Sequence, residues 1–236
     1  MVQRWVHLKF ELENAWANRI WTAYLRAQAA GRVPPLPSDA GELALHITTR
    51  LNMLPHLIRR MNAGAKGVYA AVRDVPSTHV SDRTNEGYAF RVEASLKYEL
   101  LLDVDSLLFE LNALCELMGL LLARIRELAR DPVERTEIGP LLRRIVVAAS
   151  QDAEWFETLD THRNLFSHAA APYLAVDVSD PKRPDILVMK RNVDEFSDPT
   201  TYVRLSELAR MVAGFGAAVA ALERHLITYL ERPVAV

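Results

Sequence analysis

Between Leu96 and Ile125 a large apolar residue recurs at almost every third or fourth position: Leu96, Leu100, Val104, Leu107, Leu111, Leu114, Met118, Leu121 and Ile125. That spacing matches the turn of an α-helix and predicts one long helix from about Gly87 to Arg130 with an unbroken core-facing stripe. Leu101, Leu102, Leu108 and Phe109 fall off the stripe, so the helix is apolar on several sides and has to be covered on several sides. A chain organised around such an element is a helical bundle. Its surplus apolar surface predicts a homodimer through this helix and the next. Asp131-Pro132 ends the run.

The flanking segments extend the pattern. Trp5, Leu8, Leu12, Trp16 and Ile20 predict a first helix to about Ala30, stopped by a stiff connector from Gly31 to Pro37. Ser38-Asp39 caps a second helix with Leu43, Ile47, Leu51, Leu54 and Ile58 inward, a kink at Pro55 and an end at Gly64. Residues 67–75 read as a short strand and 76–85 as loop. Gly139-Pro140 opens a fourth helix that continues through residue 168. Tyr173–Val178 and Ile186–Lys190 alternate as a hairpin. Leu205–Leu230 forms the last helix, with Leu208, Val212, Phe215, Val219, Leu222 and Leu226 inward. The expected fold is all-α: an elongated helical bundle with a small β-hairpin insertion before the last helix. An N-terminal helical region, 1–80, precedes the main helical region, 83–232. Strands and helices do not alternate as a doubly wound sheet requires, and no Gly-x-x-x-x-Gly-Lys phosphate loop is present.

Composition narrows the class of partner. The 236 residues carry a formal charge of −2, so any nucleic acid has to be met by a local patch and not by a global field. Cys115 is the only cysteine, which leaves no intrachain disulfide and no multi-cysteine metal site. It lies in an apolar run and reads as a small buried hydrophobe. Glu116 and Arg124 interrupt the best candidate for a charge-free membrane span, and the start lacks a signal-peptide core. The expectation is a soluble cytoplasmic protein with no cofactor, no metal and no membrane contact.

The stretch with most chemistry is Arg163-Asn164-Leu165-Phe166-Ser167-His168. Arginine is a permanent cation whose planar fork fits phosphate oxygens, and histidine exchanges a proton near neutrality. On a helix, Trp155, Leu159, Phe166 and Ala169 form an apolar stripe, while Glu157, Thr161, Asn164 and His168 fall on the opposite face. Asn164 and His168 are one turn apart. Arg163 lies on the flank, about 140° from His168. His162 falls within the stripe and reads as a packed core histidine.

This string resembles the Arg-x(4–6)-His motif of HEPN domains, in which a polar residue typically follows the arginine. The resemblance covers roughly residues 83–232. HEPN domains are all-helical and usually dimeric, and many are metal-independent RNases of toxin–antitoxin, abortive-infection and CRISPR systems. The resemblance therefore implies a homodimeric endoribonuclease with Arg163, Asn164 and His168 as catalytic residues. It would leave 2′,3′-cyclic phosphate ends on RNA, with an antitoxin as a possible partner. A non-catalytic HEPN-like nucleotide-binding or dimerisation module is the alternative. In nucleotidyltransferase-paired members a tyrosine closely follows the histidine; here Tyr173 stands further off, after Ala-Ala-Ala-Pro, and is kept as a supporting residue.

Glu99 and Asp103 are the other supporting candidates. One turn apart and near the apolar stripe of the third helix, they need a cationic partner, and Arg163 is the expected one. The motif geometry further predicts His168 partly exposed at a groove, close to its copy in a second subunit, with Arg163 less exposed. Arg124, Arg126, Arg130, Arg135, Arg143 and Arg144 are interleaved with Glu127, Asp131, Glu134 and Glu137 and read as a salt-bridged turn. Lys182, Arg183, Lys190 and Arg191 are less compensated and could touch RNA backbone.

Overall fold

The structure, a computed structural model, describes residues 16–73, 80–83, 88–90, 92–149, 153–168, 173–180, 182–189, 196 and 198–232, of which 80–83, 88–90 and 163–168 are described by backbone alone. Six helices appear among these residues: α1 (Trp16–Ala29), α2 (Ser38–Arg73), α3 (Ala94–Leu128), α4 (Ile138–Ala148), α5 (Glu154–His168) and α6 (Leu205–Glu231). Strands β1 (Val80–Arg83) and β2 (Tyr88–Phe90) pair antiparallel between α2 and α3. A three-stranded antiparallel sheet of β3 (Tyr173–Asp177), β4 (Asp185–Met189) and β5 (Tyr202–Arg204) precedes α6, with β4 in the middle. The protein is thus mostly helical with a small sheet before its last helix, as the periodicity predicts.

The long helix is α3, and α2 runs antiparallel along it. Asp39 pairs with Arg124, Arg50 with Glu110 and Arg60 with Asp103, so rising positions on one helix meet falling positions on the other. The sequence reading that ends α2 at Gly64 and starts a strand at residue 67 is overturned, because α2 is helical to Arg73. The glycines serve close approach. A Cβ on Gly67 would fall 2.7 Å from Leu96 Cδ1, so the glycine lets the leucine lie close against α2 without shifting its tip. Tertiary contact outweighs the unfavourable intrinsic propensity of glycine.

The expected single helix from Gly139 to the motif is likewise corrected. It is two helices, α4 and α5, with Ala149 closing the first by bonds to Ile145 and Val146 carbonyls. Residues 84–87 lie outside the described set, and α3 itself begins only at Ala94, so its expected first turns are displaced by β2. The expected two-stranded hairpin gains a third strand: β4 pairs Leu187, Val188 and Met189 with Arg204, Val203 and Tyr202. Of the expected first helix, residues 1–15 lie outside the described set.

One core links residues on both sides of the expected boundary near 80, from Trp16, Ile20 and Tyr24 through the α3 stripe to Leu208, Leu222 and Leu226. α1 lies alongside α6: Trp16 Nε1 donates to the Val219 carbonyl at 3.2 Å, and Arg19 pairs with Glu223 at 3.0 Å. The sheet is tied to the start of α6. Asp185 accepts from the backbone N–H and hydroxyl of Ser206, and Arg204 donates to Asp177 at 3.0 Å. Bonds from Ser179 and then from Arg204 hold the Asp177 carboxyl below its usual range.

Of the residues expected to leave surplus apolar surface, Leu101 and Leu108 are buried by the chain's own bundle. Leu102 and Phe109 remain 63% and 59% exposed, joined by Tyr98 and Leu120. These four fall within about 40° of one line along α3. By length and composition α3 and α6 are apolar enough to cross a membrane, and each buries part of that surface inside the bundle.

The arginines around the α3–α4 turn carry the expected ion pairs: Arg124 with Glu127 and Asp39, Arg126 with Asp131, Arg143 with Glu157 and Arg144 with Glu137. Beside them, Tyr229 donates to Asp131 at 3.1 Å, and its ring contacts both Arg126 and His225. Burial, then the nearby Arg232 and Arg126, push His225 below its ordinary value of 6.5. The unfolded chain takes up a proton there before the folded chain does. Stability is therefore full above the unfolded value and declines as pH falls from it towards the folded one. Thermal midpoints should drop more for the wild type than for His225→Gln between about pH 7.5 and about pH 5.5. Equal drops would show that His225 contributes nothing to acid sensitivity.

Candidate functional site

α5 is oriented by its apolar side. Trp155 and Leu159 are buried, Trp155 stacks on Phe156 with ring centroids 3.9 Å apart, and it meets Phe215 of α6 edge-on. His162 is buried, as its place in the stripe predicts. Glu157 and Thr161 are exposed, so the polar face of α5 looks outward. The backbone of α5 is described as helical to His168. The Arg163–His168 string therefore lies on a helix, as expected, in the last described turns of α5. The side chains of 163–168 lie outside the described set, and with them the expected exposure of His168, its approach to a second copy and the bracing of Arg163.

The two acids of α3 separate. Glu99 is exposed, whereas Asp103 is 3% exposed. A carboxylate so far from water needs a partner, and the partner found among described side chains is Arg60 of α2. Its Nε donates to Asp103 Oδ1 at 2.6 Å. That bond, then the Asp103 charge, with a smaller contribution from Glu99, raises the Arg60 pKa above its ordinary value. The sequence reading names Arg163, whose side chain lies outside the described residues; the cation found on Asp103 is Arg60, brought in from 43 residues away by the antiparallel packing of α2.

Stranding one partner should cost more than removing both. Arg60→Ala leaves a buried carboxylate short of its donor, a loss of about 1–3 kcal/mol. Arg60→Met with Asp103→Leu should recover most of it, because the charge that needed a partner is gone. Urea midpoints of the single and double variants measure this. A double variant no better than Arg60→Ala would mean that the pair is not isolated from other polar groups.

Tyr173 opens β3, five residues after His168. Five residues of chain bridge no more than about 18 Å, so Tyr173 stays near the end of α5. Its ring centroid is 5.2 Å from Lys97 Nζ, and the exposed Tyr98 ring is 5.5 Å from the same ammonium. The first turns of α3 thus meet the start of β3, which the chain keeps within about 18 Å of the last described residue of α5. Glu99, Asp103 and Tyr173, separated in sequence, are gathered at this end of the bundle. Lys97, Tyr98 and Arg60 were not singled out by sequence reasoning. None of them carried a legible signal: in a helix expected from about Gly87, Lys97 stands well past the first turn, and its place near the helix start follows only from α3 beginning at Ala94.

Among the described residues no group of three or more His, Cys, Asp or Glu side chains converges as a metal set would. The half-buried Cys115 thiol is pushed up to about 12 by burial and by Glu116, which makes it a poor nucleophile. Lys182 and Arg183 are exposed at the turn between β3 and β4, while Lys190 and Arg191 lie outside the described set. The chain matches no protein-family model, no curated protein and no solved structure. What the site does has to be read from its own residues.

Proposed function

We propose that the protein is a metal-independent, HEPN-like endoribonuclease acting as a homodimer. One observation carries this reading: Arg163, Asn164 and His168 occupy the last described turns of a single helix. His168 removes the proton from a ribose 2′-hydroxyl, whose oxygen attacks the adjacent phosphorus. The bond from phosphorus to the 5′-oxygen breaks, and that oxygen takes a proton from the imidazolium of this His168 or of its copy across the dimer. Arg163 stabilises the negative charge that grows on the phosphorane, and Asn164 orients the imidazole or holds a phosphate oxygen. The products are a 2′,3′-cyclic phosphate and a free 5′-hydroxyl. DNA lacks the nucleophile and is spared.

The exposed row of Leu102, Phe109 and Leu120 supports a second copy as partner. On this reading the protein works in the cytoplasm within a defence or toxin–antitoxin system, and an antitoxin restrains it. The test is single-stranded RNA incubated with purified protein and a metal chelator. Cleavage with cyclic-phosphate ends is expected. Cleavage that His168→Ala leaves untouched, or that the chelator abolishes, would overturn the mechanism.

A further inference from the structure

Lys97 stands out at the same end of the bundle. Its ammonium lies against two tyrosine rings, at 5.5 Å from Tyr98 and 5.2 Å from Tyr173, and forms no ion pair among the described residues. Glu93, one turn earlier, is near enough in sequence for a favourable pair, yet Lys97 is directed to the rings instead. The first turn of α3 contains no acid, so the helix's own dipole disfavours a cation there. Tyr98 is 58% exposed and presents much of its ring to solvent.

An unpaired ammonium between aromatic rings has the chemistry of a single-strand contact. The ammonium meets a phosphate, and an exposed ring offers a stacking surface to any base. Such a contact reads neither sequence nor a folded shape. It is tethered by Tyr173 to the end of α5, so a strand that reaches His168 passes within a few nucleotides of it.

We infer that Lys97, Tyr98 and Tyr173 form a binding subsite for single-stranded RNA beside the end of α5, with Lys97 holding a backbone phosphate and Tyr98 stacking a base. This rests on the ribonuclease reading of α5. These residues are positioning groups for the strand and take no part in proton transfer.

The probe is a short, unstructured, labelled RNA with 2′-O-methyl riboses, which cannot supply the attacking hydroxyl and so survives the active protein. Fluorescence anisotropy against salt concentration reads affinity and its ionic slope. Lys97→Ala should weaken binding and reduce the magnitude of the salt slope by about one, as loss of one phosphate contact requires. Lys97→Arg should restore both. Tyr98→Ala should weaken binding by about 5- to 160-fold without changing the slope, and Tyr98→Phe should bind like the wild type, since stacking needs the ring and not the hydroxyl.

Wild-type affinity and slope in both alanine variants would overturn the subsite, while cleavage dependent on His168 would leave the nuclease reading standing. The expected binding pattern without any cleavage of unmodified RNA would keep the subsite and remove the catalytic reading. No binding by the wild type overturns the subsite, and absence of cleavage as well removes both.

Discussion

His168→Ala is expected to lower the rate of RNA cleavage by about 10²–10⁴-fold, the range contributed by a positioned general acid or base. Arg163→Ala should fall by about 10²–10³-fold, as loss of one donor to a developing oxyanion does elsewhere. Arg163→Lys should recover only part of the loss. It keeps the charge but not the planar fork that holds two phosphate oxygens. The pH profile separates the two roles: the arginine variant should keep the wild-type shape at reduced height, whereas the histidine variant should lose the limb set by the imidazole. Single-turnover rates over a range of pH measure both. An arginine variant with a shifted limb would mean that Arg163 tunes the histidine in place of stabilising charge.

The largest effect on stability is expected at Trp155. This ring is 5% exposed, stacks on Phe156, meets Phe215 and fills the notch left by Gly214. Truncation to alanine should cost about 3–5 kcal/mol. Gly214→Ala attacks the same contact from the other side. A Cβ there would fall within 2.9 Å of Cδ1, Cγ and Nε1 of Trp155, and a rigid ring cannot yield as a flexible chain end would. The cost of overpacking is about 1–3 kcal/mol. In the Trp155→Ala background the same substitution should cost little, because the space is already open. Chemical denaturation of the four species gives the coupling directly, with a value of about 0.5–3 kcal/mol expected for residues in contact. Additive losses would show that the α5–α6 contact relaxes freely, and the motif helix would then be less firmly seated than its packing suggests. Trp155→Phe should be milder than the alanine change, since the indole N–H it removes is buried and meets no hydrogen-bond partner among the described residues.

Helical periodicity carried most of the fold. α6 was readable from Leu208, Val212, Phe215 and their successors almost to the residue, and α3 from its leucines. What periodicity could not resolve was any decision settled by a neighbour. Gly64 and Gly67 look like a helix end in isolation and are helical because Leu96 and Leu100 press against that face. The break between α4 and α5 carries no proline or glycine to announce it. β5 has three residues, too few for an alternating pattern, and exists because β4 offers it an edge.

The candidate site divides along the same line. That the Arg163–His168 string lies towards the end of a helix follows from spacing alone, as does the burial of His162. Arg60 could not have been named as the partner of Asp103, because the link depends on how two long helices align. Lys97 and Tyr98 sit beside a stripe residue and look like ordinary helix surface until Tyr173 is folded back against them.

The side-by-side placement of α1 and α6 has a consequence for how the chain is made. Trp16 and Arg19 find their partners at Val219 and Glu223, more than 200 residues later. A ribosome adding about 5–20 residues per second needs roughly 10–40 s to deliver them. Through that interval the inner face of α1, with Trp16, Ile20 and Tyr24, lacks its final cover. The pairing of α2 with α3 needs far shorter loops and can close while synthesis continues. The nascent protein therefore emerges as a finished helical hairpin trailing an unsatisfied helix. That exposed edge, not the mature surface, is where a chaperone would find its grip.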